Sequence, residues 1–186
     1  MIVSVPNPVL TTPAKKVKRV DKKILSIIRE MKKILLQTDN PKGVGLAAPQ
    51  IGIPLAIFIT RPKEKSTIDV FINPEIIWKS SKLSEIVREE DGKPSLRKEK
   101  KLEGCLSIPN IWGHLKRPTK VKLRYMDIQG KIQEKEFEGF MATIVQHETD
   151  HLNGTLFTQR VLQQKEKLYR IEEDEKGEEK LVEIEI

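Results

Sequence analysis

The sequence predicts a single α+β domain spanning residues 1–186, in which antiparallel β-sheets pack around one central helix and a further helix lies near the amino terminus. Three observations carry this reading. Ile24, Ile27, Ile28, Met31 and Leu35 recur at spacings of three and four, the signature of an amphipathic helix. Lys120 to Asp127 alternates strictly between apolar and polar residues, and Lys131 to Glu138 returns after the turn residues Gln129-Gly130, as an antiparallel hairpin does. A late apolar-periodic segment opened by Gly139 carries His147, Glu148 and His151 at helical spacing.

In chain order, Pro6, Pro8 and Pro13 keep residues 1–13 extended or looped, because each disfavours a helical predecessor. Asp21 is placed to cap the first helix, which stops near Asn40-Pro41. Gly43 to Gly52 is rich in small residues and suits a close backbone approach or a tight turn. Leu55 to Thr60 and Asp69 to Pro74 read as buried strands, with Ile76-Ile77-Trp78 continuing the second after a bend. Residues 79–102 form a charged surface excursion, read as decoration. Gly154 follows the late helix as a left-handed cap. A short helix over Gln159 to Tyr169 precedes an acidic tail, residues 165–186, which docks as a terminal hairpin around Gly177 because Leu181, Val182, Ile184 and Ile186 call for burial.

Charged residues make up 33% of the chain, against about 25% in an average globular protein, so the surface is strongly ionic. The net charge of +7 is uneven: nine basic residues against two acidic ones between Thr11 and Leu36 give +7 there, and nine acidic against five basic from Lys165 give −4. No aromatic residues are interleaved with the lysines, so a solvated helix face is favoured over a nucleic-acid surface, and DNA is not an expected partner. One cysteine excludes an internal disulfide. No secretory leader opens the chain and no apolar run approaches the ~20 residues of a membrane span, so a reduced, cytoplasmic protein is expected.

Two histidines four apart stand one above the other on a helix, so His147 and His151 can present ring nitrogens to one metal ion. Glu148, beside the first ligand, is placed to take a proton from a water at that ion, the layout of a hydrolase. A catalytic site needs a third protein ligand. Cys105, His114, Glu172 and Glu173 are the candidates. Cys105 is favoured, since Leu-Ser-Ile-Pro beyond it can pass through the interior, whereas the two glutamates sit in a segment too charged to exclude water. A thiolate with two imidazoles suits Fe(II), Co(II), Ni(II) or Zn(II).

Three stretches, Gly43-Val-Gly-Leu-Ala-Ala-Pro-Gln50, Glu103-Gly-Cys-Leu-Ser107 and Gln146-His-Glu-Thr-Asp-His-Leu-Asn-Gly154, together resemble the signature motifs of peptide deformylases, in the same order. The resemblance implies that Cys105, His147 and His151 bind one divalent metal, Fe(II) in the cell, and that Glu148 is the acid/base. It implies further that Gln50 and the Leu106 backbone steady an oxyanion while Val44 and Gly45 pair with an extended substrate. Phe140, Thr143 and Ile144, three to seven residues before His147 on its helical face, look like the walls of a methionine slot. The reaction so implied is removal of formate from N-formylmethionyl peptides of nascent chains. A monomer is expected, with the basic amino-terminal helix as the place of any ribosome contact. The chain departs from the family in two respects: it has Trp112 where many members carry an arginine that touches the substrate backbone, and its excursion over residues 79–102 is longer than in compact members, shaping the cleft entrance or, as favoured, decorating the surface.

Overall fold

Apolar residues on alternating sides of consecutive strands organise the molecule, for which the computed structural model describes residues 1–39, 42–86, 89–90, 93–94, 102–173 and 179–185. Strands β1 (Gly45–Ala47), β2 (Ile57–Thr60), β3 (Asp69–Lys79), β10 (Lys120–Met126) and β11 (Ile132–Glu138) form a five-stranded antiparallel sheet in that order. Successive side chains of a strand point to opposite faces. Ile57, Ile59 and Ile72 therefore pack on one side with Ile24, Ile28, Met31 and Leu35 of helix α1 (Lys22–Leu36). On the other side Phe58, Phe71, Val121, Leu123 and Phe137 meet Ala142, Val145 and Leu152 of helix α2 (Gly139–Leu152).

A second antiparallel sheet orders β13 (Glu179–Glu183), β12 (Leu168–Glu173), β8 (Ile108–Gly113) and β7 (Glu103–Cys105). With Leu10, helix α3 (Phe157–Gln163) and its flank Leu156, it builds a third apolar cluster that contains Cys105. The remaining strands are two short pairs, β4 (Leu83–Ser84) with β9 (Arg117–Pro118) and β5 (Glu89–Glu90) with β6 (Lys93–Pro94). Among the described residues no helix is long and apolar enough to cross a membrane.

Local chemistry explains the element ends. Asp21 caps α1 by accepting the Ile24 N–H at 3.0 Å, but the helix stops at Leu36, where the Gln37 N–H turns back to the Lys33 and Ile34 carbonyls. That is short of the expected stop at Asn40-Pro41, which lies outside the described residues. Within the extended or looped amino-terminal stretch, Pro8–Leu10 forms a 3₁₀ turn, with Pro8 at its first position, where no N–H is needed. Strand β3 does pass Pro74: Asn73 and Pro74 bulge opposite Tyr125, and the Asn73 side chain bonds both the N–H and the carbonyl of Val17 at 2.7 Å. The hairpin β10–β11 has the anticipated register, from Lys120 opposite Glu138 to Met126 opposite Ile132.

Helix α3 starts two residues earlier than Gln159 and ends at Gln163, because Leu168 and Tyr169 are already strand. The tail docks as a hairpin on β8, Tyr169 opposite Trp112, while Gly177 lies outside the described residues. The reading of residues 79–102 as decoration needs correction at both ends. Ile86 and Leu102 are buried and line the main cleft with Lys82. Much of the segment between them lies outside the described residues.

Candidate active site

Helix α2 is buried along most of its length, so its histidines are held against the second sheet rather than offered to solvent. Gly154, at φ 68°, lets the chain leave the helix in the left-handed conformation, and a side-chain carbon there would meet the Thr11 backbone at 2.8 Å. Strand β7 brings Cys105 to the same place. Among the described residues, Cys105, His147 and His151 form the group able to hold a metal ion, with ligand atoms all within 4.8 Å of one another. The Cys105 sulfur lies 3.1 Å from Nε2 of His151.

The other candidates for third ligand are engaged elsewhere. His114 Nδ1 lies 3.1 Å from Glu85 Oε1, and its ring meets Tyr169 edge-on. Glu172 pairs with Arg170 on β12. The side chain of Glu173 is outside the described part.

The imidazole of His147 has its orientation fixed. His147 donates its Nδ1–H to Glu103 Oε1 at 2.7 Å and stacks on Phe157, leaving Nε2 to face the pocket. Glu103 in turn accepts from Arg117 Nε at 2.9 Å and Nη2 at 2.8 Å. Arg117 Nη1 donates to Asp150 at 2.9 Å, and Asp150 accepts from Arg160 at 2.8 Å. This chain of alternating charges was not foreseen from the sequence. Its only signal was the presence of Glu103 and Asp150 inside the motifs.

Burial and neighbouring charge set the protonation states. Burial pushes the Cys105 thiol up, but the charge of His151 and hydrogen bonds to His147 and His151 outweigh it and bring the thiol down to about 5. The sulfur is then a thiolate at neutral pH, the metal-binding form. Burial pulls His147 down, yet its bonds to Cys105 and Glu103 raise it well above the usual value. Burial also raises Glu103, but Arg117 overrides it, so its carboxyl stays well below the usual carboxylate range. Glu148 goes the other way. Burial is the main cause, partly offset by His147 and His151, and its carboxyl is pushed up to about 7.

A cleft of about 1310 Å³ opens in front of these groups. Val44, Gly45, Gln50, Cys105, Leu106, Phe140, Thr143, Ile144, His147 and Glu148 all line it, so every residue expected at the site except His151 borders this space. His151 sits behind them, 1% exposed. Gln50 is buried: its Oε1 accepts the Ala47 N–H at 2.8 Å, and its Nε2 is 3.6 Å from the Cys105 sulfur and 3.4 Å from Ser107 Oγ.

The donor set fits a divalent cation. One thiolate and two imidazoles leave a net charge of about +1 around such an ion, with a position open for water. Among the described residues, His151 Nδ1 and Glu148 Oε2 are both buried without a hydrogen-bond partner. A buried carboxylate oxygen so placed calls for a proton or a proton donor.

Comparison with known proteins agrees with this geometry. A family model described as polypeptide deformylase matches residues 1–167. The chain is 41% identical over 161 residues to peptide deformylase 1 of Bacillus subtilis, covering 86% of this chain and 88% of that one. It is 39% identical over 163 residues to the peptide deformylase of Mesorhizobium japonicum, covering 86% and 82%. Among solved structures, the Plasmodium falciparum peptide deformylase superposes with a TM-score of 0.74 at 34% identity, covering 87% of this chain and 86% of that one. On its sequence, its fold and its Cys105–His147–His151 centre, this chain belongs to the polypeptide deformylase family.

Proposed function

We propose that this chain hydrolyses the formyl amide of N-formylmethionyl peptides at the Cys105–His147–His151 centre, releasing formate and a free amino terminus. The observation that carries the reading is the convergence of those three ligand atoms within 4.8 Å beside a buried glutamate at the base of an open cleft. A divalent cation held there would supply an electrophile for the formyl oxygen and lower the pKa of water toward ~7.

The chain's own residues do the rest. Val44 and Gly45 offer backbone groups to an extended peptide, which recognises main chain rather than sequence. Phe140, Thr143 and Ile144 take the methionine side chain. Glu148 accepts a proton from water as its oxygen bonds to the formyl carbon. Gln50 Nε2 and the Leu106 N–H donate to the oxygen that becomes negative. As the C–N bond breaks, Glu148 returns the proton to the departing amine. A carboxyl poised near neutrality is suited to both transfers.

Fe(II) is our choice for the cation in the cell, with zinc, nickel or cobalt suited to the same donors. The same reading has a monomer acting in the cytoplasm on chains leaving the ribosome, with the exposed Lys22, Lys23, Arg29 and Lys33 of α1 as the place of any ribosome contact. Formate release from formyl-Met-Ala-Ala, lost in Cys105→Ala together with bound metal, is the expected result. Release by the metal-free Cys105→Ala protein would refute the reading.

A further inference from the structure

The cleft does not end at the methionine slot. Strand β8 places Trp112 opposite Gly104, the neighbour of Cys105, and a side-chain carbon on Gly104 would lie 2.7 Å from the Trp112 ring. The indole therefore lies on the glycine, one residue from the sulfur. Tyr169 pairs with Trp112 across β8 and β12, and Ile171, two residues on, pairs with Leu181 of β13. Residues two apart on a strand share a face, as do directly paired residues on neighbouring strands. Trp112, Ile171 and Leu181 thus stand on one face of the second sheet, and all three line the cleft that Glu148 and Cys105 line. The opposite face carries Ile111, Leu168 and Ile184, which pack into the apolar cluster around Phe157. Ile171 and Leu181 are only half-buried, so their apolar surface is open on the cleft side.

We propose that Trp112, Ile171 and Leu181 form a specificity wall that binds an apolar side chain in one of the two residues following the formylmethionine. This rests on the function proposed above and adds a preference to it. The occupant follows from continuity: a peptide extended along Val44–Gly45 with its formyl group at Cys105 lies in the same cleft that Trp112, Ile171 and Leu181 line. Ile171 and Leu181 lie beyond the residues 1–167 matched by the family model, so the carboxy-terminal hairpin adds to the part of the site that the match covers. An arginine at position 112 would offer charge to the substrate backbone. The indole offers apolar area instead, and the hairpin extends that area in the same direction.

The test compares kcat/KM for formyl-Met-Ala-Ala, formyl-Met-Leu-Ala and formyl-Met-Ala-Leu, with formate release as the readout. For the intact protein, one of the two leucine peptides should be preferred over the alanine peptide by about tenfold, the range expected for several methylenes in a partly open apolar site. Ile171→Thr and Leu181→Thr keep strand propensity while removing apolar surface. Each should reduce the preference, and the pair should bring it below about twofold. The quantity read is the ratio between peptides, which a general loss of fold or metal does not move. Leu181→Thr lies on the edge strand β13 and serves if the double variant fails to fold. Equal rates on all three peptides, or a preference that survives both substitutions, would overturn the wall and leave the deformylase reading standing. No formate from any peptide would remove both.

Discussion

A side-chain carbon at Gly45 would lie 2.3 Å from Oε1 of Glu148 and 2.8 Å from its carboxyl carbon. The glycine of the first motif is therefore the wall against which the glutamate of the last motif rests. Glu148 is 4% exposed and has little room to turn away. Gly45→Ala should displace the carboxylate and lower kcat on the order of 10²-fold, as a misplacement of about 1 Å does. Bound metal should be unchanged, and elemental analysis beside formate-release kinetics checks both halves.

Gln50 is anchored through its Oε1, which leaves its Nε2 aimed toward Cys105 and Ser107. Gln50→Ala should cost roughly 10²–10³ in kcat, the usual effect of removing one oxyanion donor. KM for formyl-Met-Ala-Ala should move little. A loss confined to KM would place Gln50 in ground-state binding instead.

The pH profile follows from Glu148. As a base it works only when ionised, so kcat/KM should fall as pH drops through its pKa in the folded protein. Burial sets that value at about 7, and a bound cation pulls it lower by attraction. The acidic limb should therefore lie between the ordinary glutamate value of 4.5 and about 7, with a slope of one proton. In Glu148→Gln that limb should vanish with the activity, while the metal stays bound. Retained turnover would contradict the assigned role.

Arg117 holds Glu103, which holds His147, and the Arg117–Glu103 pair is buried. Removing one partner of a buried ion pair leaves the other uncompensated, so Arg117→Met should destabilise the fold by about 3–5 kcal/mol in urea unfolding. The sign of the pH effect follows from Glu103, whose folded pKa is depressed. Its stabilisation is complete above the unfolded value of 4.5 and is lost as pH falls below it. The loss on acidification should be smaller in the variant than in the intact chain.

What was legible in the sequence was whatever is written locally. Asp21 and the repeat through Leu35 set the start and the buried face of α1, and the alternation around Gln129-Gly130 set the β10–β11 register. His147, Glu148 and His151 lie within one helical turn, so spacing alone brought them together. Cys105 could be favoured only by the chemistry around it. The second sheet was harder to see: β7 and β8 are short and separated only by Leu106-Ser107, β8 carries Pro109 within it, and β8 pairs with a strand from the far end of the chain. Apart from the place of Glu103 inside a motif, nothing in a run of sequence distinguishes Glu103 and Arg117, buried and paired with each other, from the many charged residues on the surface. The cleft-lining roles of Ile86 and Leu102 were hidden for the same reason, inside a segment whose composition is that of a solvated loop.

The most direct test is a titration of metal-free protein with Fe(II) under anaerobic conditions, following formate release from formyl-Met-Ala-Ala. The rate should rise in proportion to added metal and level off at one equivalent per chain. Cys105→Ala, His147→Ala and His151→Ala should each abolish the rise. Formate release by the metal-free chain, or none at one equivalent, would contradict a catalytic centre at Cys105, His147 and His151.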